Sequence, residues 1–159
     1  MARGERTATA EALALLTRRD HSRAGLRAKL RAKGHPAADV DEALERCTEW
    51  GYLDDRRFGR SRLEGRLARR PAGRIDALRD LQRQGLTATM SESVADEVLD
   101  EAGGEHAVLD DAFERWAARH GEPQDLAAAK RCFDHLMRRT FPRHLILQKL
   151  SPWLDDIGS

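Results

Sequence analysis

The chain has 159 residues, 35% of them charged and 40% hydrophobic, enough for one domain or a short repeat array. At this length a fold buries roughly 68–70% of its unfolded surface, so a real core is available. Four valines and three isoleucines leave little from which to build strands. No apolar run approaches the ~20 residues of a membrane span, and the polar start MARGERTATAEA has no apolar segment like a leader's. The reading is a soluble, cytoplasmic, all-α protein, with a monomer as the default. Cys47 and Cys132 stand far apart in helical contexts and indicate neither a disulfide framework nor a metal cluster.

Taken in chain order, leucines, alanines and charges recur at helical spacing, and Gly34, Gly51, Gly85, Gly103 and Gly121 mark helix ends. The spacing predicts helices over 8–19, 22–33, 37–50, 55–69, 73–84, 90–102, 106–120, 125–139 and 142–150. Units of three helices divide the chain at 8–53, 54–104 and 105–157. Such units bury their apolar faces only by stacking, which predicts three tandem three-helix repeats in an elongated, curved array. The expected core comprises Leu13, Leu16, Leu26, Leu30, Leu44, Phe58, Leu63, Leu67, Leu78, Leu81, Val94, Val98, Trp116, Phe133, Leu136, Ile146 and Leu150.

One short frame occurs three times: LTRRDHSR from Leu16, LARRPAGR from Leu67 and LMRRTFPR from Leu136. Each reads as a helix closed by an arginine pair, a short turn, and a second helix starting near Ser22, Gly73 or Pro142. The first two copies lie 51 residues apart and the third 120 after the first, so about one extra helix separates the last two. Helix count makes the third unit helices seven to nine, whereas the frame matches helices eight and nine to helices one and two. Both registers stand at this level.

Net charge is +1, but residues 1–86 carry 20 basic and 13 acidic groups and residues 87–159 carry 8 and 14. Residues 56–74 hold eight arginines against Glu64 alone, and residues 87–114 hold nine carboxylates and no Lys or Arg. Either charged partners or two stretches facing one another would account for this. The candidate partner- or DNA-binding residues are Arg18, Arg19, Arg23, Arg27, Arg57, Arg60, Arg66, Arg69, Arg70, Arg74, Arg138, Arg139 and Arg143. The competing reading of each arginine pair is architectural, since a cation at a helix C-terminus meets the negative end of its dipole.

Enzymatic signatures are not found in the sequence. There is no phosphate-cradling glycine loop and no local signature of an activated nucleophile. Asp54-Asp55, Asp110-Asp111 and Asp155-Asp156 read as helix-start or surface groups. Cys132 and His135 share a helix face without the further ligands a metal needs. No cofactor is expected.

The residues RRDHSRAGLRAKLRAKG at 18–34, GYLDDRRF at 51–58, the spaced G-R-x6-L-x3-G from Gly73 to Gly85, and the closing LMRRTFPRHLILQKL resemble the RecX regulators of the bacterial RecA recombinase. The resemblance covers nearly the whole chain. It implies a non-enzymatic protein of three three-helix units that binds RecA filaments on single-stranded DNA, restrains their ATP hydrolysis, strand exchange and growth, and so acts in recombinational repair and the SOS response. Beside it stand a helical DNA-binding protein acting on DNA or transcription through its first helix pair, with weak single- or double-stranded DNA affinity, and a helical adaptor with another partner.

Overall fold

The structure, a computed structural model, describes residues 6–155; the expectations for the start of the chain, for Asp156 and for a third unit reaching residue 157 lie outside them. Among the described residues all regular structure is helical: α1 Ala8–Arg18, α2 Arg23–Ala32, α3 Ala37–Glu49, α4 Asp55–Arg69, α5 Arg74–Arg83, α6 Ala88–Glu101, α7 Glu105–His120, α8 Leu126–Arg138 and α9 Arg143–Asp155. The fold class read from the sequence is therefore observed.

Local chemistry explains where these helices begin. Thr7, Ser22, Asp54, Thr87 and Asp125 each accept a hydrogen bond from a backbone N–H three residues on, satisfying a donor with no partner inside the helix. Helix α6 begins two residues before the expected position, where the Thr87 cap sets its start. Helix α9 runs past the expected stop at 150 and contains Pro152. Pro152 has no N–H for the Gln148 carbonyl, and the Ser151 hydroxyl donates to that oxygen instead, at 2.9 Å.

Packing falls into three sets. Helices α1 and α2 lie on α3, α4 and α5 lie on α6, and α7, α8 and α9 pack on one another. Each set has its own core: around Leu26, Leu30 and Leu44, around Leu63, Leu81 and Val94, and around Trp116, Leu136, Ile146 and Leu150. Leu13, Leu16, Phe58, Leu67, Leu78 and Phe133 sit at the core margins, half-buried. Leu53, which the turn WGYLDDRRF places over the end of the third helix, is buried, and so are Leu86 and Phe141, which were not expected. All three lie just past a helix end, where they cover the last turn and helical periodicity cannot flag them.

Hydrogen bonding separates the three copies of the arginine frame. Helices α1 and α4 run into extended residues, Arg19 at φ −165° and Arg70 at φ −148°. Helix α8 instead ends like α5: Phe141 N–H donates to the Leu136 carbonyl at 3.4 Å, as Leu86 N–H does to Leu81 at 3.2 Å. Thr140, at φ 62°, takes the left-handed position that Gly85 fills at φ 93° after α5. The third arginine pair thus closes the second helix of its packing set.

Few contacts join the sets, and they concentrate at these junctions. Between the first and second, the buried Ser22 hydroxyl donates to the Gln84 carbonyl at 2.6 Å while accepting from Gly25 N–H at 3.0 Å. Asp55 accepts from Arg23 N–H at 2.7 Å. Replacing Ser22 with Ala removes a cap and takes the hydroxyl donor from the half-buried Gln84 carbonyl, so a loss of about 1–2 kcal/mol is expected in urea unfolding. An unchanged midpoint would show that the joint does not contribute to stability. Between the second and third sets, Gly73 N–H donates to the Arg139 carbonyl at 2.8 Å, and Thr140 Oγ1 accepts from Asp76 N–H at 3.0 Å.

Candidate polyanion-binding cleft

The basic and acidic stretches meet inside the second set. Arg56 and Arg60 of α4 pair with Glu97 of α6, and Arg60 also reaches Glu101 at 2.7 Å. Arg62 grips Asp80 at 2.7 and 2.9 Å, and Arg66 grips Asp76 at 2.9 and 3.0 Å. Arg74 pairs with Asp96 at 2.9 Å. Most of these ion pairs are exposed and individually contribute about 0–1 kcal/mol. Asp80 differs, since its side chain is only 3% exposed. Burial opposes its charge, but the Arg62 hydrogen bonds and the fields of Arg62, Arg66 and Arg83 outweigh that and hold the carboxyl below its ordinary range.

Other expected site residues are engaged locally. The Arg57 guanidinium donates to the Gly51 and Tyr52 carbonyls at 3.0 and 3.2 Å, bracing the turn before its own helix. Arg23 reaches Glu45 at 2.8 Å and Arg27 approaches Asp41 at 3.5 Å. Arg143 stacks over the Phe133 ring, 5.2 Å from its centroid. Arg18 and Arg19 are exposed, with no ion-pair partner among the described residues.

A different set converges where the second and third sets meet. The C-terminal ends of α4, α7 and α8 approach one another there, and a cleft between them is lined by Arg69, Arg70, Arg115, Arg119, Arg139, His120 and His135, with Trp116 and Pro71 as its buried floor. A neighbouring hollow adds Arg131, Arg138 and the one carboxylate, Asp134. Arg115 donates to the Ala68 and Arg69 carbonyls at 2.8 and 3.2 Å, tying α7 to the end of α4. Arg139 reaches the Pro71 carbonyl at 3.4 Å. His120 stacks on Trp116 with ring centroids 4.7 Å apart.

Crowding of like charge shows in the titration of the cleft. Burial first, then Arg70, push the Arg139 guanidinium below its ordinary range; Asp76 opposes them more strongly than either Arg119 or Arg115 adds to them. Burial and the fields of Arg139, Arg138, His120 and Arg70 likewise lower His135, favouring the neutral imidazole. Of the sequence-derived candidates, Arg69, Arg70, Arg138 and Arg139 gather here. Arg115, Arg119, Arg131, His120 and His135 were not foreseen. Arg115 and Arg119 stand one turn apart on a helix, but only the fold brings that turn to the arginine junctions.

Among the described residues no group of three or more His, Cys, Asp and Glu side chains is placed to hold a metal ion, and no helix is long and apolar enough to cross a membrane. Burial pushes the Cys132 thiol up to about 11, away from thiolate reactivity at neutral pH.

A family model describing the first three-helix domain of RecX matches residues 8–47. A regulatory protein RecX from Syntrophotalea carbinolica is 30% identical over 144 residues, covering 91% of this chain and 94% of the relative. The chain belongs to the RecX family. Another RecX, from Halorhodospira halophila, is 35% identical over 144 residues, covering 82% of this chain and 78% of that one. The crystal structure of RecX from Lactobacillus salivarius superposes with a TM-score of 0.77 at 16% identity, over 91% of this chain and 94% of that one. The nine-helix arrangement is thus the RecX fold, kept where few side chains are shared.

Proposed function

We propose that this chain regulates the RecA recombinase, binding RecA filaments on single-stranded DNA and restraining their ATP hydrolysis, strand exchange and growth. The observation that carries this reading is the match to regulatory proteins RecX along nearly their whole length. The geometry supports it in two ways. Three helical sets in series offer an extended surface to a filament. The cleft at the junction of the second and third sets supplies unpaired guanidiniums for acidic partner groups. The protein acts without catalysis of its own, as a cytoplasmic monomer serving recombinational repair and the SOS response.

A helix-turn-helix reading of α1 and α2 finds less support, because Arg23 and Arg27 already face Glu45 and Asp41. The test is single-stranded-DNA-dependent ATP hydrolysis by the cognate RecA, titrated with this protein well below one molecule per RecA protomer. Hydrolysis is expected to fall at such ratios, and Arg69→Glu with Arg70→Glu to weaken the effect. Both side chains are exposed and carry no internal ion pair, so the double variant should keep its helix content. An unaffected rate at equimolar protein would overturn the proposal.

A further inference from the structure

The two joints between packing sets are built alike around the middle helices α2, α5 and α8. In each joint, the cap residue at the start of one middle helix meets the carbonyl of the residue that closes the next: Ser22 Oγ donates to Gln84 at 2.6 Å, and Gly73 N–H donates to Arg139 at 2.8 Å. The amide one residue on meets a carboxylate that opens the next set's first helix, Arg23 to Asp55 at 2.7 Å and Arg74 to Glu105 at 3.0 Å. Helix starts carry partial positive charge and helix ends partial negative charge, so this stacking is favourable in itself. The second and third sets thus each present a helix end that the set before them covers.

The first set presents the same kind of end. Lys33 closes α2 at φ −80° and ψ 0°, as Gln84 closes α5 at −76° and −4° and Arg139 closes α8 at −83° and 10°. Left-handed Gly34, at φ 92°, follows Lys33 as Gly85 follows Gln84. Only the surroundings differ. A Cβ added at Gly85 would collide with that of Ala24 from the preceding set, whereas one added at Gly34 would meet nothing within 4 Å. Gln84 and Arg139 are half-buried, but Lys33 is exposed, and its carbonyl accepts no hydrogen bond among the described residues. Beside it opens a hollow lined by Thr7, Ala8, Glu11, Gly34, His35 and Asp39. Ala8 opens α1 where Asp55 and Glu105 open α4 and α7; the carboxylate in the hollow is that of Glu11, one turn on, paired with Lys33 Nζ at 2.6 Å.

We propose that this end of the first set is a docking site for a helix start on a partner protein, one capped by serine or threonine with a small residue two places further on. The partner's cap hydroxyl donates to the Lys33 carbonyl as Ser22 does to Gln84, and its small residue sits over Gly34 as Ala24 sits over Gly85. A second copy of this chain does not fit. The middle-helix start left for it to offer is that of α8, capped by Asp125, and a carboxylate set against a carbonyl brings two acceptors together. Nor would a bare glycine cap extend the choice, since Gly73 serves in its joint by leaving no room for a Cβ. The site lies on the first set, apart from the arginine cleft, and holds whether or not the partner is RecA.

The experiment is an amide NMR titration of the full chain, labelled with nitrogen-15, against a synthetic peptide of residues 20–34, DHSRAGLRAKLRAKG, which carries the Ser22 start. The Gly34 and His35 amides are expected to shift progressively, with the weak affinity of a small contact. The same peptide with Ser22→Ala keeps its charge but lacks the hydroxyl donor, and should bind about fivefold more weakly. In the protein, Gly34→Asn accepts the left-handed conformation and puts a Cβ where the small residue must sit, so binding is lost. Circular dichroism and melting check that this variant folds; the two peptides test the site without altering the protein.

Five results each overturn the proposal. The first two are an unmoved Gly34 amide at saturating peptide and equal binding of the Ser22→Ala peptide. A shift at Gly85 in place of Gly34 would mean that the peptide replaces α2 at the internal joint. Binding only by a chain lacking residues 1–5 would give the hollow to the chain's own start. Self-association of the unaltered chain in sedimentation, abolished by Gly34→Asn, would give it to a second copy.

Discussion

Asp80→Asn is expected to lower stability by about 2–3 kcal/mol, measured by urea or thermal unfolding with helix content as the signal. The carboxylate is almost wholly buried and takes two hydrogen bonds from Arg62, with Arg66 and Arg83 at 3.6 and 3.7 Å. Asparagine has nearly the same shape, but it removes the charge and turns an N–H donor toward guanidinium donors. Breaking a fully buried pair costs about 3–5 kcal/mol. The lower figure applies because the Arg62 side chain keeps 36% and Arg83 66% of its exposure and both can rehydrate. For a chain of this size the melting temperature should fall by roughly 5–10 °C.

The same carboxylate gives the protein an acid limit. Its folded pKa lies below the unfolded value, so its contribution is complete above the ordinary carboxylate range near ~3.9 and is lost as pH falls through the lower folded value. The gap between the unaltered protein and Asp80→Asn should therefore be full at neutral pH and close in strong acid. A gap that did not change between pH 7 and pH 2 or so would place the effect in shape rather than charge.

Gly73→Ala is expected to destabilise by about 3 kcal/mol, the upper end of the range for overpacking. Its cause is space, not backbone conformation, since Gly73 has an ordinary φ of −77°. A Cβ there would lie 2.4 Å from the Thr140 carbonyl oxygen and 2.8 Å from its carbon. Those atoms belong to the neighbouring backbone, fastened by the Gly73 to Arg139 hydrogen bond, and cannot swing aside as a side-chain tip does. The substitution would wedge the two junctions apart and separate Arg70 from Arg139.

Gly65→Ala provides the contrast. Gly65 lies inside α4, where a Cβ meets only the flexible Arg69 guanidinium at 3.3 Å. Alanine is favoured over glycine within a helix by about 0.5–1 kcal/mol, so the expected change is a gain. If both substitutions moved stability in the same direction, the tight approach at Gly73 would not be the reason for its glycine.

Much of this protein is written locally. Helix positions follow from caps such as Ser22 and Asp54 and from left-handed stops such as Gly85, because those interactions act within one turn of chain. The leucines of each core follow from 3.6-residue periodicity, and the membership of the RecX family was visible in RRDHSR and GYLDDRRF. Charge counts were equally plain, but their meaning was not. The basic stretch of α4 reads in one dimension as a binding surface, and the fold turns Arg56, Arg60, Arg62 and Arg66 onto acidic partners 10 to 41 residues away.

Only the tertiary structure decided which arginines are left over. Arg69 and Arg70, 46 and 45 residues before Arg115 and 70 and 69 before Arg139, share a cleft with them because α4, α7 and α8 end at one junction. The left-handed turn at Thr140 after the third arginine pair, which no glycine announces, likewise belongs to the fold. The physical reason is the same in each case. Caps and periodicity are short-range and can be read residue by residue, whereas charge pairing depends on distance in space, which the chain sets only once its helices have packed.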